Sequence, residues 1–542
     1  YVIMTVASVG IIVGAITSNG MMEVARSGVF HPEMFTFAEV MLLFLAVMFT
    51  NVILLDIFNT LGMPTSTTVS LVFGLLGAAV GISIFKIAND ALVTLPDGSL
   101  ATMADMINTG NAMAIIGGIL ISVVIAFVCG TVVMYITRLI FSFRYQSKLK
   151  SYGAVWCGIA LTAISYFAVF KGLKGTQVIP ADWMSWMEGH IPMMLGGLLV
   201  GWSLIMSILS MLKVNILRIT VLAGTFSLAL AFAGNDLVNF IGVFVAGVDA
   251  YDIVRTTGDT NMLMGGLNDP VVANLLILFL SGAVMVVTLW FSKKAQSVSD
   301  TEINLARQDV GVERFGSTSA SRAIVRATIN CNKNYEKYTP ERIQRFIASR
   351  FVPVANAKDK APFDLIRATV NLTVASLLIS MATSLQLPLS TTYVTFMVAM
   401  GSSLSDRAWG RESAVYRITG VLTVIAGWFF TALVAFTVSF AVAVLLMWGG
   451  VFAVAGLSVL CCYLMIRSTK AHNRKLKREA EKQAEHKAVT DESSIVDRSV
   501  REITEMMNKV TTIYNQTLIG LFNEDRKLLK NMVRESEALY QV

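Results

Sequence analysis

The chain has 542 residues, 55% hydrophobic and only 15% charged, with a mean hydropathy of +0.66 and a formal net charge of +7. A soluble domain carries roughly 25% charged residues, so a soluble globular fold is excluded. Apolar stretches of about 20 residues, the length that spans ~30 Å of hydrocarbon, point to membrane helices; a membrane β-barrel would alternate polar and apolar residues over about 10. The excess of positive charge fits loops lying against anionic lipid and gives no support to nucleic-acid binding.

Apolar segments fall near 1–19, 36–58, 65–85, 111–141, 153–170, 192–212, 216–233, 270–291, 363–385, 389–404, 414–446 and 448–466. The fold class read from them is an all-α polytopic membrane protein with roughly 10–12 membrane segments, multi-pass in a cell membrane, the inner one in a bacterium. The apolar pattern is already running at Tyr1, so the chain reads as lacking its true N-terminus. Basic residues cluster at Arg138, Arg144, Lys148 and Lys150, at Lys213 and Arg218, through 293–360, at Arg407 and Arg411, and after Arg467. The positive-inside rule puts all of these on the cytoplasmic face. They agree with one another if 153–170 and 192–212 form one out-and-back excursion, which leaves the acidic stretch 86–110 outside.

Near the end of the first segment, Glu23 and Arg26 have the i,i+3 spacing of a helical ion pair. Further on, Pro64-Thr65-Ser66-Thr67-Thr68 is followed by Gly77, and Pro388-Leu389-Ser390-Thr391-Thr392 by Gly401. Each motif opens an apolar stretch after a preceding span. The charge-derived topology runs the two copies in opposite senses, an inverted-topology repeat with re-entrant or broken helices of the kind many secondary transporters use. Proline starts a helix well, and hydroxyls at a helix N-terminus supply donors for an anion. Simple N-capping by Ser or Thr is the other reading.

Between the copies lies Gly234-Asn235-Asp236-Leu237-Val238-Asn239. A charge at membrane depth costs roughly 2.5–3.5 kcal/mol on insertion scales, and Gly234 is expected to let the backbone unwind there. Asp236 with Asn235 and Asn239 offers hard oxygen ligands to a cation such as Na⁺; capping at a membrane interface is the alternative. Five cysteines (Cys129, Cys157, Cys331, Cys461, Cys462) form no CxxC pair, and four histidines (His31, His190, His472, His486) no HExxH. Zinc and disulfide scaffolds are thereby disfavoured, and no GxxxxGK[ST] marks a P-loop ATPase.

The organisation expected is a first membrane repeat over 1–90, connecting helices over 91–212, and a second repeat over 213–466 with a cytoplasmic loop at 292–362. A cytoplasmic helical tail covers 467–542. In the loop, 301–307 reads as a short helix. In the tail, Ile503, Met506, Met507, Val510, Ile513, Tyr514, Leu518, Leu521 and Phe522 recur at helical spacing.

Together these motifs resemble the inorganic phosphate transporter (PiT) family of cation–phosphate symporters. The likeness runs through Gly14-Ala15, Glu23 to Gly28 and the first Pro-x-Ser-Thr-Thr motif, then through Ala231 to Asn239, similar to the family's GANDxxN, and Leu387 to Thr392. It implies import of inorganic phosphate by Na⁺ or H⁺ symport through alternating access, with no enzymatic activity and no cofactor. It implies that Asn235, Asp236 and Asn239 serve the ion, with no metal beyond Na⁺ at Asp236. It implies that Ser66, Thr67, Thr68, Ser390, Thr391 and Thr392 approach phosphate. The family's first GND-type motif is expected just before Tyr1. Val69 and Tyr393 stand where a histidine often follows the hydroxyls, and Asn51 and Asn371 are the nearest polar residues to the acidic positions of the family's hairpins. The stretch 503–540 resembles a PhoU-like helical segment, truncated at Val542. Partners are phosphate and the lipid bilayer, with homo-oligomers compatible. The alternatives are a symporter of another oxyanion such as sulfate, and a phosphate-sensing membrane scaffold.

Overall fold

The computed structural model describes residues 1–18, 22–61, 65–95, 98–143, 145–167, 181–259, 261–269, 274–292, 318–351, 364–385, 387–406, 413–487, 492–523 and 525–539. It divides into two units, Tyr1–Ser468 and Thr469–Val542. Among the described residues the regular structure is helical, with isolated bridges only. Among the described residues seven helices are long and apolar enough to cross a membrane, and Val2–Ile16 and Leu275–Phe291 are apolar but shorter.

In chain order the first unit holds α1 (Val2–Ile16), α2 (Glu23–Arg26), α3 (Phe37–Leu61), α4 (Thr67–Ala88), α5 (Met103–Met106) and α6 (Thr109–Phe141). Then come α7 (Tyr145–Ile164), α8 (Ala181–Gly189), α9 (Ile191–Met211), α10 (Ile216–Thr257) and α11 (Leu275–Phe291). After these come α12 (Ser319–Tyr338), α13 (Glu341–Arg350), α14 (Leu365–Ser384), α15 (Thr391–Ser405) and α16 (Ser413–Lys487), whose residues from 469 onward belong to the second unit. The second unit holds the antiparallel pair α17 (Glu492–Phe522) and α18 (Arg526–Leu539), with Leu529 packed on Gly520 and Asp525 accepting the Leu528 N–H.

Two expectations are corrected. The helix expected to end near 233 and unwind at Gly234 continues to Thr257, 42 residues in all, and closes on a left-handed Gly258 (φ 74). No unwinding is needed, because side chains supply the partners of Asp236: Asn239 from α10 itself and Thr391 from α15. The division expected near residue 447 lies at Gly450 inside α16, where φ is 49 and ψ −134, a conformation glycine adopts without a Cβ clash. The basic loop also contains two helices, α12 and α13, where a polar loop is read from sequence; the suggested helix at 301–307 lies outside the described residues. α7 and α9 lie side by side, tied by a hydrogen bond from Trp202 Nε1 to Ser165 Oγ at 3.0 Å. Burial separates centre from periphery: α4 has 72% of its apolar window buried and α9 only 6%.

Two helical hairpins, α3–α4 and α14–α15, shape the centre. Each is held across its open end by a buried ion pair, with the charges reversed. Lys86 at the end of α4 reaches Glu39 Oε2 at 2.8 Å and the Met34 carbonyl at 2.9 Å. Asp406 at the end of α15 accepts from Arg367 Nε at 2.9 Å and Nη2 at 2.8 Å. Arg138 of α6 joins this second pair, donating to both oxygens of Asp406 and to Asp364 Oδ2 at 2.7 Å.

The second helix of each hairpin also packs backbone to backbone on a long helix. A Cβ on Gly77 would lie 2.2 Å from the Phe436 carbonyl oxygen, and one on Gly401 2.3 Å from that of Phe127. Both glycines come eleven residues after their motif serine (66 to 77, 390 to 401). Gly401→Ala is therefore expected to lower the thermal midpoint of the purified protein sharply, because α15 must move off α6. Gly117→Ala, where an added Cβ meets nothing within 4 Å, should hold or raise it, since alanine is about 1 kcal/mol better than glycine in a helix. Equal midpoints for the two variants would refute the close-packing account.

Candidate functional site

The two Pro-x-Ser-Thr-Thr stretches bring the N-termini of α4 and α15 together at the middle of α10. Pro64 lies outside the described residues. Ser66 is the N-cap of α4, its Oγ accepting the Val69 N–H at 3.1 Å, and Ser390 caps α15 by accepting the Tyr393 N–H at 3.3 Å. Such caps are worth ~1 kcal/mol each and fix where each helix begins. The Thr68 hydroxyl then donates to the backbone carbonyl of Leu389 at 2.9 Å, directly linking one motif to the other.

Asp236 lies at the midpoint of α10 and is 4% exposed. The Thr391 hydroxyl donates to one carboxylate oxygen, and Asn239 Nδ2, one turn along the same helix, donates to the other at 3.0 Å. The same amide nitrogen lies 3.1 Å from Thr67 Oγ1 and 2.9 Å from Thr68 Oγ1. Asn235 Nδ2 donates to Thr383 Oγ1 at 3.1 Å, while its Oδ1 is buried without a hydrogen-bond partner among the described residues. Thr391, Thr67, Thr68, Asp236 and Asn239 thus form one continuous cluster, and Asn235 faces α14 beside it. Ser66 and Ser390 adjoin the cluster as caps, and Thr392, half-buried, makes no side-chain bond to Asp236 or Asn239 among the described residues.

Every donor to Asp236 among the described residues is neutral, and no salt bridge reaches it. Two helix N-termini, each equivalent to roughly half a positive charge, add a favourable field. A buried carboxylate held only by neutral donors is costly until a cation or proton joins it.

Sequence reasoning missed several neighbours. Thr383 carries no motif. Ser70, one turn beyond Ser66, donates to Asn51 Oδ1 at 2.5 Å, so Asn51 takes part through α4; Asn371 Oδ1 is buried without a partner among the described residues. Tyr393 stacks on Trp428, ring centroids 3.7 Å apart, at the start of α15. Arg26 lies against Asp249 at 3.3 Å, where a Glu23 partner is read from sequence; the Glu23 side chain lies outside the described residues.

A model of the phosphate transporter family (PHO4) matches residues 2–295, more than half of the chain. The chain belongs to the phosphate transporter family. The match takes in α1 to α11, hence Asp236 and the first hydroxyl motif, while the second motif lies beyond it. The chain is thus a multi-pass membrane protein of a phosphate-transporting family. Among solved structures, one titled "The sodium-dependent phosphate transporter" is similar at 14% identity and a TM-score of 0.41, over 82% of this chain and 98% of that one. A search of curated proteins found no match.

Proposed function

We propose that this member of the family imports inorganic phosphate by symport with a cation, Na⁺ or H⁺, and that Asp236 is the coupling carboxylate. The observation that carries this reading is a mid-helix carboxylate, bonded only to neutral groups, at the meeting point of two helix N-termini. A cation offsets the buried charge, with Asp236, Asn235 Oδ1 and the threonine hydroxyls as hard oxygen ligands. Phosphate then meets the Thr67 hydroxyl and the free N–H groups of the two helix ends, and the Thr68 and Thr391 hydroxyls once they turn from the Leu389 carbonyl and Asp236. Neutral donors bind an oxyanion without the strong hold of a Lys or Arg cage, as a transport cycle requires. Ser66 and Ser390 contribute by setting the helix starts, and Thr392 by lying beside Thr391 on the same turn.

Monoprotonated phosphate carries a donor of its own, and Asp236 accepts it; sulfate has none at neutral pH, which favours phosphate. Alternating access follows if the two hairpins are inverted repeats, a reading supported by their matched ion pairs and matched glycines.

The test is a phosphate titration of the detergent-purified full chain. Thr68→Ala and Thr391→Ala should each weaken binding about tenfold or more, the loss of one hydrogen bond to a charged group. The double variant should fall well short of the product, because both hydroxyls serve one ligand. Small, strictly additive losses would mean that these threonines only stabilise their helices.

A further inference from the structure

A cavity of about 480 Å³ lies against the turn 387–389, and Asp236 is not part of its lining. One wall is α6 between Asn111 and Ile125. The other is formed by Met381 of α14 and by Leu387, Pro388 and Leu389. The lining is aliphatic save for Asn111 and Ser122, so it suits no ion. Ile121, Met381, Leu385 and Leu387 at its rim are exposed. α6 and α14 are long and apolar enough to cross a membrane, so in a bilayer these exposed side chains would meet hydrocarbon and the cavity would open sideways into the lipid.

Depth identifies the occupant. The midpoint of α6 is residue 125, which places Ile125 near the bilayer centre when the helix is centred in the membrane. Asn111 is then ~21 Å higher at 1.5 Å per residue, at the headgroup level some 20–22 Å from the centre. The cavity therefore runs from headgroups to mid-plane, the depth of one leaflet. We propose that it is a phospholipid site that takes one acyl tail along α6 and braces the turn 387–389. Bracing reaches the polar cluster through Leu389, whose carbonyl accepts the Thr68 hydroxyl at 2.9 Å. This consequence rests on the phosphate reading above; the lipid site itself does not.

A Cβ on Gly118, in the cavity wall, would meet nothing within 4 Å. A large side chain there fills the tail's place without disturbing the backbone. The full chain is reconstituted with phosphatidylcholine bearing a diazirine on its acyl chain, irradiated, and the adducts mapped by mass spectrometry. Adducts should concentrate on α6 between 111 and 125 and on 387–389. Gly118→Phe, and separately Ala114→Phe, should each cut them several-fold, with labelling of the peripheral α9 unchanged as the folding control. Cavity labelling no denser than on α9, or indifferent to both substitutions, overturns the site. For bracing, delipidation should weaken phosphate binding several-fold in the unsubstituted protein and much less in Gly118→Phe, whose ring stands in for the tail. Equal losses, or none in either, overturn bracing. An absence of phosphate binding in every sample, lipid-replete ones included, would sink the phosphate reading and leave the labelling result to judge the lipid site.

Discussion

Asp236→Asn is expected to reduce cation-driven phosphate accumulation to the level of protein-free vesicles while leaving the protein folded. Asparagine has nearly the same shape. It keeps one oxygen for the Thr391 hydroxyl and sits in the same buried position at the middle of α10. What it removes is the formal negative charge, which both a cation and a proton need. A neutral side chain also spares the ~2.5–3.5 kcal/mol insertion cost of a charge at that depth, which offsets the lost bond from Asn239 Nδ2, so the variant should stay folded with a stability near the parent's. Stability retained with accumulation lost would separate coupling from folding. Accumulation at the parent level would remove Asp236 from the coupling role.

The second large effect is structural. Asp406→Ala should destabilise the protein by about 3–5 kcal/mol, the usual cost of leaving buried charges without their partner. Asp406 is the shared acceptor of Arg138 and Arg367, and all three side chains are fully buried. Without it Arg138 keeps Asp364, but Arg367 loses the carboxylate that accepts from its Nε and Nη2, and the hairpin α14–α15 loses this closing bond. Glu341→Ala provides the contrast. Its bond to Arg345 has the same 2.8 Å length, but both side chains are about four-fifths exposed, and exposed pairs contribute little. Thermal unfolding followed by tryptophan fluorescence should show a large drop for the first variant and almost none for the second. Similar midpoints would contradict the assignment of the buried cluster as the clamp of this hairpin.

Much of the membrane architecture is legible in the sequence because burial in lipid writes itself into long apolar runs. The starts of α3, α4, α6, α9 and α14 fall within a few residues of the segments read from hydropathy. The hydroxyl motifs and the Gly-Asn-Asp segment are legible for a different reason: each is a polar cluster where the surrounding composition penalises polarity. The structure brings Thr391, Asp236, Asn239, Thr67 and Thr68 into one hydrogen-bonded cluster.

What was not legible depends on partners distant in sequence. Arg138 reads as one more basic residue at a membrane boundary, yet its acceptors lie 226 and 268 residues away, and no local pattern announces them. Gly234 reads as a helix break because a lone carboxylate in a span calls for one. The structure keeps α10 straight because Thr391, 155 residues away, meets the charge. The helices α12 and α13 are hidden by their low hydropathy; in α13 the signal is the recurrence of Ile343, Phe346 and Ile347 among arginines at helical spacing.

The most direct measurement is uptake of radiolabelled phosphate by proteoliposomes containing the full chain, with an inward Na⁺ gradient, an inward H⁺ gradient, or neither, and with labelled sulfate in parallel. Phosphate should accumulate above the external concentration under one of the two gradients and only equilibrate without any, and sulfate should not accumulate. Equal accumulation of sulfate would contradict the phosphate assignment, and phosphate uptake indifferent to both gradients would contradict cation coupling at Asp236.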